Sequence, residues 1–161
     1  MDIAMCLKYL LLISLGVIAI NSTTIGRRVN EQNNFTQIGA KIYFIEDTQR
    51  VNWFGASNFC RQLGGFLVTL ETESELQLLS PYLHPSRSYW ISLNDLAVSG
   101  VYTSQATGRD AEYFNWSVGQ PDNIGGLEHC VELWRSNSFQ MNDVQCEIKL
   151  NFVCELVPDL G

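Results

Sequence analysis

Residues 119 to 130 read GQPDNIGGLEHC, and the chemistry they offer is oxygen coordination. Gln120 and Asn123 bring side-chain amides, Asp122 and Glu128 bring carboxylates, and Pro121, Gly125 and Gly126 mark the segment as a turn. A turn needs the proline and the glycines. It does not need so many hard donors. Further on, MNDVQ (141 to 145) adds Asn142 and Asp143 immediately ahead of Cys146. Were Cys130 and Cys146 to pair, the closed loop would stabilise by roughly 3 kcal/mol in the chain-entropy model. It would also draw Asn142 and Asp143 back toward Gln120, Asp122 and Glu128. Carboxylates and amide carbonyls, with no cysteine or histidine among them, suit a hard cation that takes six to eight oxygens, and an irregular loop suits Ca2+ better than Mg2+.

The same carboxylates could in principle cleave glycosides, with Asp122 and Glu128 as an acid and base pair. Two carboxylates that ligate one ion are not free to protonate a leaving group. His84 is isolated, and His129 adjoins Cys130 without a nucleophile beside it. No enzyme is expected.

The elements that must position this loop begin near residue 40. KIYFIE (41 to 46) is rich in aromatic and β-branched residues and predicts a strand. In NWFGASNFCRQLGG, Trp53, Ala56, Cys60 and Leu63 recur on one helical face, and Gly64-Gly65 supplies the stop. FLVTL (66 to 70) predicts a buried strand. Thr72 and Glu75 have capping-box spacing, so ETESELQLLSPYL predicts a second helix that Pro81 limits. Four further strands are expected at YWISL (89 to 93), GVYTS (100 to 104), CVELW (130 to 134) and FVCEL (152 to 156). Between the second and third of these, 105 to 129 lacks periodicity, but its aromatics Tyr113, Phe114 and Trp116 can pin it to a core, which marks it as ordered and functional. Two helices followed by strands and a long loop make the fold class α+β.

The chain has 161 residues, 46% of them apolar, enough for one domain with a moderate core. A formal charge of −7 excludes a phosphate-tracking surface, and with it nucleic acid as a partner. YLLLISLGVIAI (9 to 20), preceded by Lys8, has the length of a signal-peptide core rather than a membrane span. The organisation expected is therefore a signal peptide over 1–19, cut near Ala19, a polar linker over 20–36, a domain over 37–157 and a tail over 158–161. No membrane insertion of the mature form is expected. Cys6 leaves with the leader, and Cys60, Cys130, Cys146 and Cys154 remain. Four cysteines in an exported chain predict two disulfides, in any of three pairings that spacing alone does not decide. Asn34 and Asn115 head glycosylation tripeptides, in keeping with an extracellular, secreted glycoprotein.

Taken in order, the Trp53–Cys60 helix, YWISLND, NWSVGQPDN, LEHCVEL, MNDVQC and NFVCE resemble the C-type lectin domain family, over about residues 37 to 157. The resemblance implies the pairings Cys60–Cys154 and Cys130–Cys146 and a looped sheet flanked by two helices. It implies Ca2+ held by Gln120, Asp122, Glu128, Asn142 and Asp143, sugar bound by Gln120, Asp122, Glu128 and Asn142, and a cis bond before Pro121. The order Gln-Pro-Asp implies galactose-type sugars, so the expected partners are glycans or glycoproteins with terminal galactose-type residues, bound by a chain that could act as a homo-oligomer.

The sequence departs from the family pattern in three places. Met141 stands where the family usually has tryptophan, which implies ligands less rigidly held. NIGGL is short and lacks the aromatic that galactose-selective members carry. His129 and Asn123 stand near positions of an auxiliary calcium site, which is expected to be absent. Trp53, Trp90 and Trp116 are expected in the core, and Trp134 exposed beside the site. A lectin-like surface that binds a protein, with calcium structural or absent, is the second function class.

Overall fold

The computed structural model describes residues 35–157. The leader expected over 1–19, the acceptor Asn34 and the tail 158–161 lie outside the described residues. Strands β1 (Phe35–Ile38), β2 (Lys41–Val51), β3 (Gly65–Leu67), β4 (Tyr89–Asn94), β5 (Thr103–Ser104), β6 (Cys130–Trp134), β7 (Gln140–Val144) and β8 (Leu150–Leu156) join helices α1 (Trp53–Gln62) and α2 (Glu73–Leu79). The main path of the sheet runs β1-β2-β8-β4-β6-β7, with β3 on β8 and β5 on β4. The class is α+β.

Both helices start where side chains satisfy free backbone donors. Asn52 accepts from the Gly55 N–H at 2.9 Å, and Thr72 accepts from the Glu75 N–H at 3.2 Å. Helix α1 buries Trp53, Ala56, Ser57 and Cys60, the face that the spacing picks out. It ends at Leu63, and Gly64 follows at φ +82°. Gly65 is required for another reason: a Cβ there would lie 2.2 Å from the Glu155 carbonyl oxygen, so only glycine lets β3 meet β8.

Strand alternation divides the core in two. Tyr43, Ile91 and Val153 turn to one cluster, with Val131, Leu133 and Met141. Their neighbours Phe44, Trp90 and Phe152 turn to the other, with Trp53, Ala56 and Leu67. Strand β4 is buried at all six positions, which explains why Tyr89, Trp90, Ile91 and Leu93 follow one another without the exposed polar residues of an alternating strand. The disulfides join Cys60 to Cys154, linking α1 to β8, and Cys130 to Cys146, linking β6 to the turn after β7.

Four sequence expectations need correction. The polar linker ends earlier than residue 36, because Phe35 and Thr36 already pair with Phe44 and Tyr43. FLVTL is a strand only through Leu67, although Val68 still bonds to Val153 and Ser92. GVYTS contracts to Thr103–Ser104, because the Val101 N–H closes a turn on the Val98 carbonyl and the Tyr102 carbonyl accepts from Ala111 in the long loop. Strand β7, read from sequence only as a ligand-bearing segment, pairs along its whole length with β6.

Candidate functional site

The long segment between β5 and β6 contains a single short 3-10 turn, Ile124–Gly126. Side chains and a few backbone bonds hold it. Tyr102 and Trp116 pack with centroids 4.9 Å apart, and Phe114 stacks on Trp116 at 5.7 Å. The Met141 N–H donates to the Asn115 carbonyl at 2.7 Å, and the Ser117 N–H donates to the Met141 carbonyl at 2.8 Å. Residues 115 to 117 therefore flank β7 on the side away from β6. From there the chain reaches the cis bond between Gln120 and Pro121, and Asn123 takes a left-handed conformation at φ 44°.

Asp143 is the point on which this segment converges. Its carboxylate is fully buried and accepts the Asp122 N–H at 3.1 Å, the Asn123 N–H at 2.9 Å and the Tyr102 hydroxyl at 3.3 Å. Burying a charge without such donors would be prohibitive. Asp122, exposed, and Glu128, half-buried, join it, and one carboxylate oxygen from each of the three lies within 4.8 Å of the others. The Gln120 amide donates to Asp122 Oδ2 at 3.2 Å while its carbonyl accepts the Asp122 N–H at 3.1 Å. Glu128 accepts the Ile124 N–H at 3.2 Å, and its own N–H donates to Asn123 Oδ1 at 3.0 Å.

The electrostatics of this cluster are one-sided. Burial, followed by the charges of Asp143 and Asp122, holds the Glu128 carboxyl above its ordinary pKa despite the Ile124 N–H. Burial and Asp143 likewise raise the Tyr102 phenol, so Tyr102 remains a donor. Three close carboxylates with only neutral donors around them, all ligands being oxygen, fit a hard divalent cation.

Not every candidate residue converges. Asn142 is next to Asp143 on β7, where alternation turns it to the other face of the strand, and its Nδ2 donates to Glu132 Oε1 at 2.9 Å. The second N–H and the carbonyl of its amide remain available. Asn123 and His129 are used within the protein. Asn123 caps the Glu128 N–H, and His129 Nδ1 lies 2.8 Å from Oδ1 of the buried Asp95, whose Oδ2 accepts the Gly100 N–H at 2.7 Å. Trp53 and Trp90 are buried and Trp116 is partly buried against the core. Trp134 is corrected: it is half-buried and lines a separate cavity with Arg50, Arg87 and Arg135. It points there because β6 alternation places it with Glu132, away from the face of Val131 and Leu133.

Two contributors escaped the sequence reading. Tyr102 looks like an ordinary strand aromatic, and Glu132 looks like the polar half of an alternating strand. No local signal marks the one as a donor to Asp143 or the other as an acceptor from Asn142.

This arrangement, an α+β domain whose long loop folds back on a buried aspartate through a cis-proline turn, defines a lectin-like class. Residues 49–156 match the family described as Lectin C-type domain. The chain belongs to the C-type lectin family, a family of carbohydrate-binding, non-enzymatic domains. It is 50% identical over 151 residues to C-type lectin 37Db of Drosophila melanogaster, covering 93% of this chain and 97% of that protein. Salivary C-type lectin 1 of Aedes albopictus is 38% identical over 115 residues, covering 65% of this chain and 75% of that one. Among solved structures, the mouse scavenger receptor C-type lectin carbohydrate-recognition domain superposes with a TM-score of 0.71 at 28% identity, covering 76% of this chain and 95% of that chain. The cow CD23 domain, solved in the presence of a GlcNAc2Man3 oligosaccharide, gives 0.71 at 27% identity, covering 78% and 94%. Among the described residues, no helix is long and apolar enough to cross a membrane.

Proposed function

We propose that the protein is a secreted, calcium-dependent lectin of galactose-type preference. The observation that carries this reading is the set of three carboxylates, Asp122, Glu128 and Asp143, drawn together with no lysine or arginine paired to them among the described residues. Asp122, Glu128 and Asp143, with Gln120 beside them, would hold Ca2+, and Asn142 would join through the amide carbonyl that its bond to Glu132 leaves free. When bound, the ion would supply the positive centre at which two vicinal sugar hydroxyls gather. Asp122 and Glu128 would accept hydrogen bonds from the hydroxyls, and the amides of Gln120 and Asn142 would donate to the hydroxyl oxygens. Asp143 orients the turn through the three bonds it accepts, and Oδ1, which accepts only the Asp122 N–H, keeps a lone pair for the ion. An amide before Pro121 and a carboxylate after it fix the donor and acceptor order, and that order supports galactose over mannose. Ile124 and Leu127, both largely exposed, border the turn and offer aliphatic contact to a sugar's apolar face.

The leader over 1–19 and the acceptor tripeptides at Asn34 and Asn115 support secretion as a glycoprotein, with terminal galactose-type glycans as partners and self-association as the means to avidity. The test is calorimetric titration of galactose and of mannose into the disulfide-bonded protein, with calcium and then with excess chelator. Saturable galactose binding that disappears with chelator is expected, with mannose weaker. Equal binding in both conditions, or none in either, overturns the reading. A calcium-induced rise in melting temperature with no response to any sugar assigns the fold to a protein partner instead.

A further inference from the structure

On the face of β6 and β7 turned away from Asp143, a cavity of about 210 Å³ opens between β6, the end of β2 and the start of β8. Its lining gathers Arg50, Arg87 and Arg135, from three separate elements, around the half-buried ring of Trp134. The chain carries only 10 lysines and arginines against a net charge of −7, so three guanidiniums in one cavity run against its overall balance. Arg87 is paired with Asp47 at 3.1 Å, and Arg135 donates from Nη1 to the Ser86 carbonyl at 3.2 Å. Arg50 is exposed and has no ion-pair partner among the described residues. The acid on the lining is Glu132, 6% exposed, whose Oε1 already accepts from Asn142.

That distribution selects a ligand with two kinds of group. A bare anion would be drawn to Arg50 and Arg135 at the exposed rim but repelled by Glu132 within. A neutral sugar would find acceptors and donors in Glu132, Ser88 and Asn151, but it brings no charge to match the guanidiniums and can offer them only neutral hydroxyl acceptors. A cation would be repelled by all three arginines. A hydroxyl-bearing ring with one oxyanion substituent satisfies both halves. Its hydroxyls would meet Glu132, Ser88 and Asn151, its apolar face would meet Trp134, and its anionic group would meet the arginine fork, which suits planar or tetrahedral oxyanions. We propose that this cavity is a second, calcium-independent binding site for an acidic monosaccharide unit carrying a carboxylate or a sulfate.

The test uses the full disulfide-bonded protein in excess chelator, so that it does not depend on the calcium reading above. Tryptophan fluorescence is followed while glucuronic acid, glucose 6-sulfate, glucose or sodium sulfate is added. Both acidic sugars, or one of them, should quench saturably, and the tighter of the two identifies the oxyanion. Glucose should bind about tenfold more weakly or worse, as expected for the loss of charge-assisted hydrogen bonds. Arg50→Ala, at an exposed position without a partner, should weaken the acidic sugar by about tenfold with an unchanged melting temperature. Trp134→Phe should remove most of the quench, while isothermal titration still detects the ligand. Equal binding of glucose, sulfate alone as tight as the sugars, no saturable binding, or wild-type affinity in Arg50→Ala would each overturn the proposal.

Discussion

Around β8, Phe44, Phe59 and Phe152 pack ring against ring at 5.6 and 5.1 Å, α1 buries Trp53 and Ala56 against them, and Cys60–Cys154 closes the arrangement. Between β5 and β6 the chain has almost no regular structure, and its turn is held by hydrogen bonds that end on one buried carboxylate. The first region depends on apolar burial, worth roughly 1.5–3 kcal/mol for each large side chain. That term is indifferent to ligands and to mild acid. The second depends on charge, which responds to both. A single domain thus joins a scaffold that folds by hydrophobicity to a site whose order is tied to its electrostatics.

The largest expected break in this comparison comes from the disulfides. Cys60–Cys154 closes a separation of 94 residues and Cys130–Cys146 one of 16. In the chain-entropy model, replacing the first pair by alanines should cost about 4–5 kcal/mol and the second about 3 kcal/mol. Denaturant unfolding measures both. The two variants should also differ in kind. The first should lower stability with or without calcium, whereas the second should in addition weaken calcium binding, because Cys130 and Cys146 tether β6 to the chain just beyond Asp143. Equal losses of calcium affinity in the two variants would mean that the site is not mechanically separate from the scaffold.

Acid should act on one region and spare the other. The Glu128 pKa is raised in the folded protein, chiefly by burial and then by Asp143 and Asp122. In the calcium-free domain its contribution to stability is therefore present at low pH and lost as pH rises through the folded pKa. Calcium needs the ionised carboxylate and offsets that loss. At roughly a hundredfold excess over its Kd, calcium should add about 2.7 kcal/mol. The calcium-induced rise in melting temperature should accordingly be large near about pH 7.5 and small near about pH 4.5. Thermal denaturation with calcium and with chelator at the two pH values measures it. An equal rise at both would remove Glu128 from the site.

The same contrast explains what could be read in the sequence. Helix α1 was legible because its buried positions recur with helical period and Gly64-Gly65 stop it, and β4 because four of its six buried positions carry Tyr, Trp, Ile and Leu. The oxygen cluster was legible by composition, since Asp122, Glu128 and Asp143 are conspicuous on turns. Its organisation was not. Pairing of β7 with both β6 and residues 115 to 117 is a long-range backbone event with no local signature, and it decides that Asp143 faces the turn while Asn142 faces Glu132. Strand β1 escaped for a related reason: its two apolar residues are covered only by long-range packing, Phe35 against Phe44 and Ile38 in the core.

The smallest expected effect bears on Met141, which the sequence pattern marks as a weak holder of the ligands beside it. Its side chain is fully buried, and its backbone is bonded on the far side from β6 at both N–H and carbonyl, while Gln140 and Asn142 are paired with Trp134 and Glu132 on β6. The strand carrying Asp143 is therefore fixed from two sides by main-chain bonds that any residue at 141 can make. The thioether contributes volume and a weak contact from the Asn115 N–H to Sδ at 3.5 Å. Met141→Leu preserves the volume and forfeits only that contact. It should cost less than about 1.5 kcal/mol and change calcium affinity by no more than about twofold. Denaturant unfolding and calcium titration of the variant measure the two quantities separately. A tenfold loss of calcium affinity at nearly unchanged stability would show that the side chain, rather than the paired backbone, places Asp143.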